Sequence, residues 1–354
     1  MPGRPCYTRD AHVCNGAAMV VSIKEIARRA GVSHSTVSRA LHQSPLVRPD
    51  TAVRIRTLAE EMGYVPSAIG RGLATRSTHT LGLVVTTIAD PFVSEVVRGA
   101  EELAMDHGYS VFLCQSGAQP QRELAAVRAL HENRVVGVIV TSSRVGDLYG
   151  PLLAQMKVPI VLINNERSDP GIWFVSIDDR HGGMLATEHL LRIGRRRIGF
   201  IAGWPEATSS IGRLRGCVEA LDRHALRASP YWTASANGRM DGGYAAAADM
   251  LSCRPLPDGL FCYNDLTAIG ALKALREHGL RVPDDIAVVG FDDIAMAAFT
   301  CPPLTTVAQP RLDMGRLAVC MLLDLIAGRS VESQTLEGSL VIRESTLAAQ
   351  GGDQ

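Results

Sequence analysis

No run of eighteen consecutive apolar residues occurs in this 354-residue chain, so the sequence holds no segment able to cross a bilayer as a helix. The first nineteen residues also lack the charged-then-apolar order of a secretory signal, and the protein is expected to stay in the cytoplasm, away from membranes. Eight cysteines are present without a C-x-x-C pair. They scatter through segments that read as core strands and helices, which fits buried reduced thiols rather than disulfides or a zinc site. Catalytic signatures are missing: there is no G-x-S-x-G, H-E-x-x-H or Walker A sequence, and no G-x-G-x-x-G after the first strand. His181, His189 and His224 are not spaced to share a metal. These gaps argue against an enzyme, a cofactor or a metal, and leave binding functions.

Net charge is also lacking, with 36 Lys+Arg against 36 Asp+Glu, but the zero is an average over two unlike parts. Residues 1–80 carry 11 basic against 5 acidic side chains, a net of +6, and the remaining 274 residues carry 25 against 31, a net of −6. A basic N-terminal module on an acidic body suits contact with a phosphate backbone, where Lys and Arg displace condensed counterions.

The basic module has a matching pattern. In residues 22–42, Ile23, Ile26, Ala27 and Ala30 recur at three- and four-residue spacing, giving a first short helix one apolar face. Gly31 makes the turn and Ser33 caps a second helix. Val37, Ala40 and Leu41 point that helix inward, leaving Ser33, His34, Ser35, Thr36, Ser38, Arg39 and His42 as candidate DNA contacts. A surface helix offering donors and acceptors from its first turn matches the reading helix of a helix-turn-helix. A third helix over residues 50–62 is expected to turn Val53, Ile55, Leu58 and Met62 inward, with Arg54 and Arg56 outward.

From Thr80 onward, near-continuous Val, Ile and Leu runs alternate with amphipathic stretches. Strands are expected at 81–85, 109–113, 135–140 and 158–163, then at 197–201, 259–263 and 286–291, with helices at 91–107 and 119–132 among the intervening segments. Apolar strands separated by helices indicate parallel sheets covered on both faces. The fold class is α/β: a small all-α headpiece followed by two doubly wound subdomains with a cleft at the carboxyl ends of their strands. Polar residues gather at those ends: Asp90, Asp179, Asn264 and Asp292, with Ser209 and Arg213 opening a helix. Carboxylates, an amide and an arginine around a cleft suit a polyhydroxylated ligand, whose hydroxyls need paired donors and acceptors. Capping remains an alternative for Asp90, Asn264 and Asp265.

Residues 22–42, Tyr64-Val65-Pro66 and residues 67–74 resemble the lactose and galactose repressor family of bacterial transcription regulators, over about residues 21–346. The galactose branch looks nearest around Asp178-Asp179-Arg180-His181-Gly182 and residues 185–190. The resemblance implies a periplasmic-binding-protein-like core whose second lobe centres on 164–292, the C-terminal stretch returning to the first. It implies that Asp90, Phe92, Arg213, Asn264, Asp292 and Gln309 contact the effector. It also implies a hinge helix at 67–76 that wedges Leu73 between base pairs of the minor groove. Gly238 and Arg311 stand where relatives often carry aromatics, which brings a sugar acid into play beside a neutral sugar.

The domain boundaries expected are 1–19 extension, 20–66 headpiece, 67–79 hinge, 80–346 core and 347–354 tail, with Met19 an alternative start. The partners implied are palindromic operator DNA, a small sugar-like effector and a second copy of the chain. No heptads follow the core, so a coiled-coil tetramer is not expected. Two alternatives remain: a periplasmic-type solute-binding protein, and a DNA-binding protein with a vestigial cleft.

Overall fold

A computed structural model describes residues 21–41, 44–64, 78–143, 158–166, 171–205, 207–252 and 254–347. The chain divides into two compact units, parted between Arg76 and Ser77. His42, Leu73 and the rest of 67–76 lie outside the described residues, as do Cys6, Cys14 and Cys253.

Among the described residues the first unit holds three helices, α1 (Ile23–Ala30), α2 (His34–Leu41) and α3 (Pro49–Glu61). Each contributes one fully buried branched side chain, Ile26, Val37 and Ile55, to a shared core. Ser22 caps α1, and Gly31 ends it at φ 64°, a left-handed conformation that glycine adopts without a Cβ clash. Two expectations for α3 change. Val53 is 56% exposed and Ala52 and Ala59 are buried instead, because Ile55 sets the inward face and Val53 falls two positions off it. Arg54 does not simply point outward: its Nη2 donates to the Ala30 carbonyl at 2.9 Å and ties α3 to the end of α1.

The second unit contains two six-stranded sheets. In the first, β1 (Thr80–Val85) lies between β2 (Ser110–Gln115) and β3 (Gly137–Thr141), followed by β4 (Ile160–Ile163), β5 (Ile172–Ile177) and the late β11 (Gln334–Leu336). In the second, β6 (Ile198–Ala202) lies between β7 (Thr233–Ser235) and β8 (Gly259–Cys262), followed by β9 (Ala287–Asp292), β10 (Thr305–Ala308) and β12 (Ser339–Val341). Among the described residues all pairings are parallel except β10 with β12. Strands β3, β4, β6, β8 and β9 are buried along their whole length, which is why their sequences are continuous apolar runs rather than alternations.

Helices α4 (Pro91–Asp106), α5 (Pro120–Glu132) and α10 (Arg311–Ile326) belong to the first lobe; α6 (Asp179–Arg192), α7 (Thr208–Arg223), α8 (Met240–Met250) and α9 (Asp265–Glu277) belong to the second. The chain thus crosses between lobes at 177–179, 308–311 and 336–339. The second lobe therefore starts at Asp179, not at 164, and includes β10. The C-terminal stretch revisits the first lobe through α10 and β11, then ends in the second through β12, where Ser345 exchanges hydrogen bonds with Val288. Helices α6 and α7 touch backbone to backbone: a Cβ on Gly216 would lie 1.9 Å from the Arg180 carbonyl oxygen, and one on Gly183 would lie 2.2 Å from that of Arg213. That contact fixes where Arg213 stands.

Cysteine burial is split. Cys217 and Cys262 are buried, and burial raises both thiols, Cys217 to about 11. Cys301 and Cys320 are exposed, against the expectation of buried thiols.

Candidate ligand cleft and nucleic-acid interface

Helix α2 presents its polar face as the sequence implied. His34, Ser35 and Arg39 are exposed, Thr36 and Ser38 are half-buried, and Val37 and Ala40 are turned inward. Ser33 Oγ accepts from the Thr36 amide at 3.1 Å and meets the hydroxyls of Ser35 and Thr36, both at 2.8 Å, so it acts first as the helix cap. Arg39 has no side-chain partner among the described residues, leaving its five donors available.

Within the second unit, a cleft of about 600 Å³ opens at the carboxyl ends of both sheets. Seven of the eight expected effector residues line it: Asp90, Phe92, Ser209, Arg213, Asn264, Asp292 and Gln309. Asp179 does not; its Oδ1 accepts from Arg213 Nε at 2.7 Å. Arg213 lies in the second turn of α7 and is 2% exposed. Its Nη1 donates to the Tyr263 carbonyl at 2.5 Å and stands 3.9 Å from Asp292 Oδ1. The guanidinium carbon rests 3.6 Å from the centroid of the Phe291 ring and 4.7 Å from that of Tyr263. Burial opposes the charge on Arg213, but Asp179, Tyr263 and Asp292 outweigh it and raise its pKa.

Asp292 is held at φ 106°, a backbone conformation costly for a residue with a side chain. Gln309 Nε2 donates to its Oδ1 at 2.6 Å. Burial pushes the Asp292 carboxyl well above the usual carboxylate range; Arg213 works against this, whereas Asp265 and Asp90 add to it. Asp90 and Asn264 both cap helices and both face the cleft. Asp90 Oδ1 accepts from the Phe92 amide at 2.9 Å, and Asn264 Oδ1 accepts from the Thr267 amide at 2.9 Å, yet both line the cleft. Asp265 is buried behind it, accepting from the Ile294 amide at 2.8 Å and Thr306 Oγ1 at 2.6 Å. Arg311 does not line the cleft, whereas Gly238 does.

The sequence reading missed Ser142, Asn164, Trp204, Arg239 and Tyr263, all of which line the cleft. Ser142 and Asn164 follow β3 and β4 directly and adopt left-handed φ of 47° and 56°. The rule that found Asp90 and Asp292 finds these too when applied to every strand end. Two buried acceptors in the cleft have no partner among the described residues: Gln309 Oε1 and Asn164 Oδ1. Such atoms cost free energy unless something donates to them.

The headpiece and the cleft each have counterparts. Residues 22–67 match the family described as bacterial regulatory proteins, lacI family, and residues 187–346 match the periplasmic binding protein-like domain. The HTH-type transcriptional repressor PurR of Haemophilus influenzae (strain PittEE) is 34% identical over 337 residues, covering 92% of this chain and 98% of its own. The chain belongs to the lacI family of transcription regulators. A solved structure of the lac repressor dimer bound to operator and the anti-inducer ONPF aligns with TM-score 0.84 and 30% identity, covering 93% of this chain and 99% of that one. A complex of the transcriptional regulator CelR with cellobiose aligns with TM-score 0.70 and 33% identity, covering 92% and 99%. Membership makes this family protein a DNA-binding regulator of transcription with a ligand-responsive core. Among the described residues no helix is long and apolar enough to cross a membrane.

Proposed function

We propose that this protein is a cytoplasmic homodimeric repressor that holds a near-palindromic operator and releases it when a neutral, polyhydroxylated ligand fills the cleft. Ser33, His34, Ser35, Thr36, Ser38 and Arg39 would meet the DNA, with Arg39 and His34 reading base edges. One such helix covers only a few base pairs, so a dyad supplies reach and specificity. The lac repressor in the aligned structure is a dimer bound to its operator, which supports the same arrangement. A periplasmic-type solute-binding role has no use for the headpiece, and a vestigial cleft has no reason to keep open buried acceptors.

The observation that carries the ligand class is the unpartnered Gln309 Oε1, in a residue only 5% exposed. With Asn164 Oδ1 and the carboxylates of Asp90, Asp241 and Asp292 it makes a lining rich in acceptors. The charge of Arg213 is already taken up by Asp179. A donor-rich ligand fits such a lining, and the rings of Phe92, Trp204 and Tyr263 can pack on its C–H surface. Arg239 favours the second reading, a sugar acid: it is exposed in the cleft, its guanidinium makes no hydrogen bond or ion pair among the described residues, and its charge acts on the Asp90 carboxyl.

A thermal-shift panel of neutral sugars, sugar acids and nucleosides tests both, because a ligand that binds only the folded state raises its melting temperature. Neutral sugars are expected to give the shift; a shift confined to acids would overturn the neutral reading. For the DNA side, binding-site selection with Arg39→Ala is expected to relax one base position, worth about 1–3 kcal/mol of discrimination. An unchanged consensus would remove Arg39 from the base-reading set.

A further inference from the structure

Strand β9 runs out into two consecutive residues in the left-handed backbone region, Asp292 at φ 106° and Asp293 at φ 53°. That conformation is costly for a residue with a Cβ, and a pair of them persists only where surrounding contacts hold it. Asp292 lines the cleft and Asp293 does not. The grip on Asp293 comes from the C-terminal stretch. Arg343, two residues past β12, donates from Nη2 to Asp293 Oδ1 at 2.7 Å and from Nη1 to the Leu304 carbonyl at 2.8 Å. Arg343 is fixed in turn: its amide donates to Thr305 Oγ1 at 2.8 Å, the same hydroxyl donates to the Arg343 carbonyl at 2.9 Å, and Ser345 Oγ donates to the Val288 carbonyl at 2.6 Å.

Strands β9 and β10 pair so that Asp292 lies opposite Ala308, yet the Asp293 amide donates to Thr306 Oγ1 at 3.3 Å, two residues back along β10. The chain therefore doubles back at Asp292, and Arg343 ties the returning segment to Leu304 at the head of β10. One planar fork makes both contacts, which a lysine cannot reproduce. We propose that Arg343 is a positioning residue for ligand binding: by holding Asp293 in the returning segment it keeps Asp292 at positive φ, which presents that carboxyl to the cleft. Arg343 does not line the cleft, so its effect on a ligand passes through the turn. The proposal rests on the cleft being the ligand site. Asp292 is also acted on by Arg213, Gln309, Asp265 and Asp90, all of which an Arg343 substitution leaves in place. A second hold, the Ile294 amide on Asp265 Oδ2 at 2.8 Å, anchors the chain beyond the turn, so loss of Arg343 frees the turn rather than the lobe.

Two measurements on the full chain test this. Carboxyl NMR of isotope-labelled aspartate, with the Asp292 signal assigned by its loss in Asp292→Asn, reads the turn without any ligand. In the parent, burial holds Asp292 well above the usual carboxylate range. In Arg343→Gln it is expected to titrate closer to the ordinary value, with Arg343→Lys between the two. Calorimetry with the panel compound of largest thermal shift reads the consequence. Arg343→Gln should weaken its binding by about tenfold, but by less than about twofold in the Asp292→Asn background, the non-additivity expected of residues that act as one unit. A purely structural arginine would lower the melting temperature while the folded protein kept both the Asp292 titration and the affinity. That result overturns the proposal, and so does an equal loss in both backgrounds. If Arg343→Gln does not fold, Asp293→Asn, which keeps an acceptor for the guanidinium but gives up the charge, carries the same two readouts with the same expected directions. A parent that binds no panel compound removes the proposed ligand class, and the Asp292 titration alone then decides the role of Arg343.

Discussion

The two walls of the cleft are built differently. The second-lobe wall is bonded to itself: Arg213 to Asp179, Ser209 Oγ to Tyr263 Oη at 2.9 Å, and Asn264 Nδ2 to the Gly238 carbonyl at 3.0 Å. The first-lobe wall is mostly short side chains at strand ends, Thr87, Ala118 and Ser142 among them, and it includes the unpartnered Asn164 Oδ1. One wall is a template set before any ligand arrives; the other holds unmet hydrogen-bonding capacity. A ligand on the first-lobe wall therefore gains bonds that the protein lacks, whereas on the second it joins a network already satisfied except at Gln309 Oε1, at the crossover after β10.

The largest effect that could break this contrast is expected from Arg213→Ala. The substitution leaves the half-buried carboxyl of Asp179 and the buried one of Asp292 without their cation and strips a stacked group from Phe291. Removing one partner of a buried ion pair costs about 3–5 kcal/mol. The variant should thus unfold at lower denaturant than the parent with no ligand present, and loss of ligand response in it would not by itself locate the site. Equal urea midpoints would show that the second-lobe wall is not the braced template described. Arg213→Lys, which keeps the charge but not the fork, should fall between the two.

How much was legible follows the same division. The headpiece could be read residue by residue, because helix spacing, Gly31 and Ser33 are local signals and its core is three helices deep. Val53 escaped because period alone fixes a face only to within a residue or two. The strands were legible as apolar runs, but the lobe assignment of 164–178 and of the last residues was not. Three crossovers lie side by side, and pairing across 159 residues, such as Ser333 Oγ accepting from the Phe174 amide, leaves no trace in local pattern. In the cleft, Asp179 looked like a ligand contact because it ends a strand beside other carboxylates. Its partner is 34 residues away in sequence, and only packing of α6 on α7 reveals the pair.

A smaller effect sharpens the contrast through pH. Burial raises Asp265 to about 7 from its ordinary 3.8, with bonds from Thr306 and Ile294 opposing. A carboxyl whose folded pKa is raised favours the fold fully below its ordinary value and loses that contribution as pH rises through the folded value. Asp265→Asn cannot ionise; its Oδ1 can keep the Ile294 amide, and its Nδ2 can donate to Thr306 Oγ1 once that hydroxyl turns. The variant and parent should melt alike near pH 4, and the variant should gain on the parent as pH climbs from about 4 to about 7 and hold that lead above it. A melting difference that stays flat with pH would mean that Asp265 is not the group titrating behind the second-lobe wall.

Asn164→Ala should give the smallest effect on the fold and the clearest on the ligand. The acceptor it removes has no partner in the free protein, so no bond is broken and one unmet buried group disappears. Thermal stability without ligand should therefore change little, since losing the unmet acceptor offsets the cost of placing Ala at a left-handed φ of 56°. Affinity for the compound selected by the thermal-shift panel should drop by about fivefold, the worth of one neutral hydrogen bond of about 1 kcal/mol. Ser209→Ala on the opposite wall should do the reverse, since it breaks the existing bond to Tyr263 and costs stability even without ligand. Calorimetric titration and melting of both variants place each wall on one axis or the other. If Asn164→Ala lowers the melting temperature while leaving affinity intact, the unmet capacity of the first-lobe wall serves the fold, and the walls are not divided between template and acceptor.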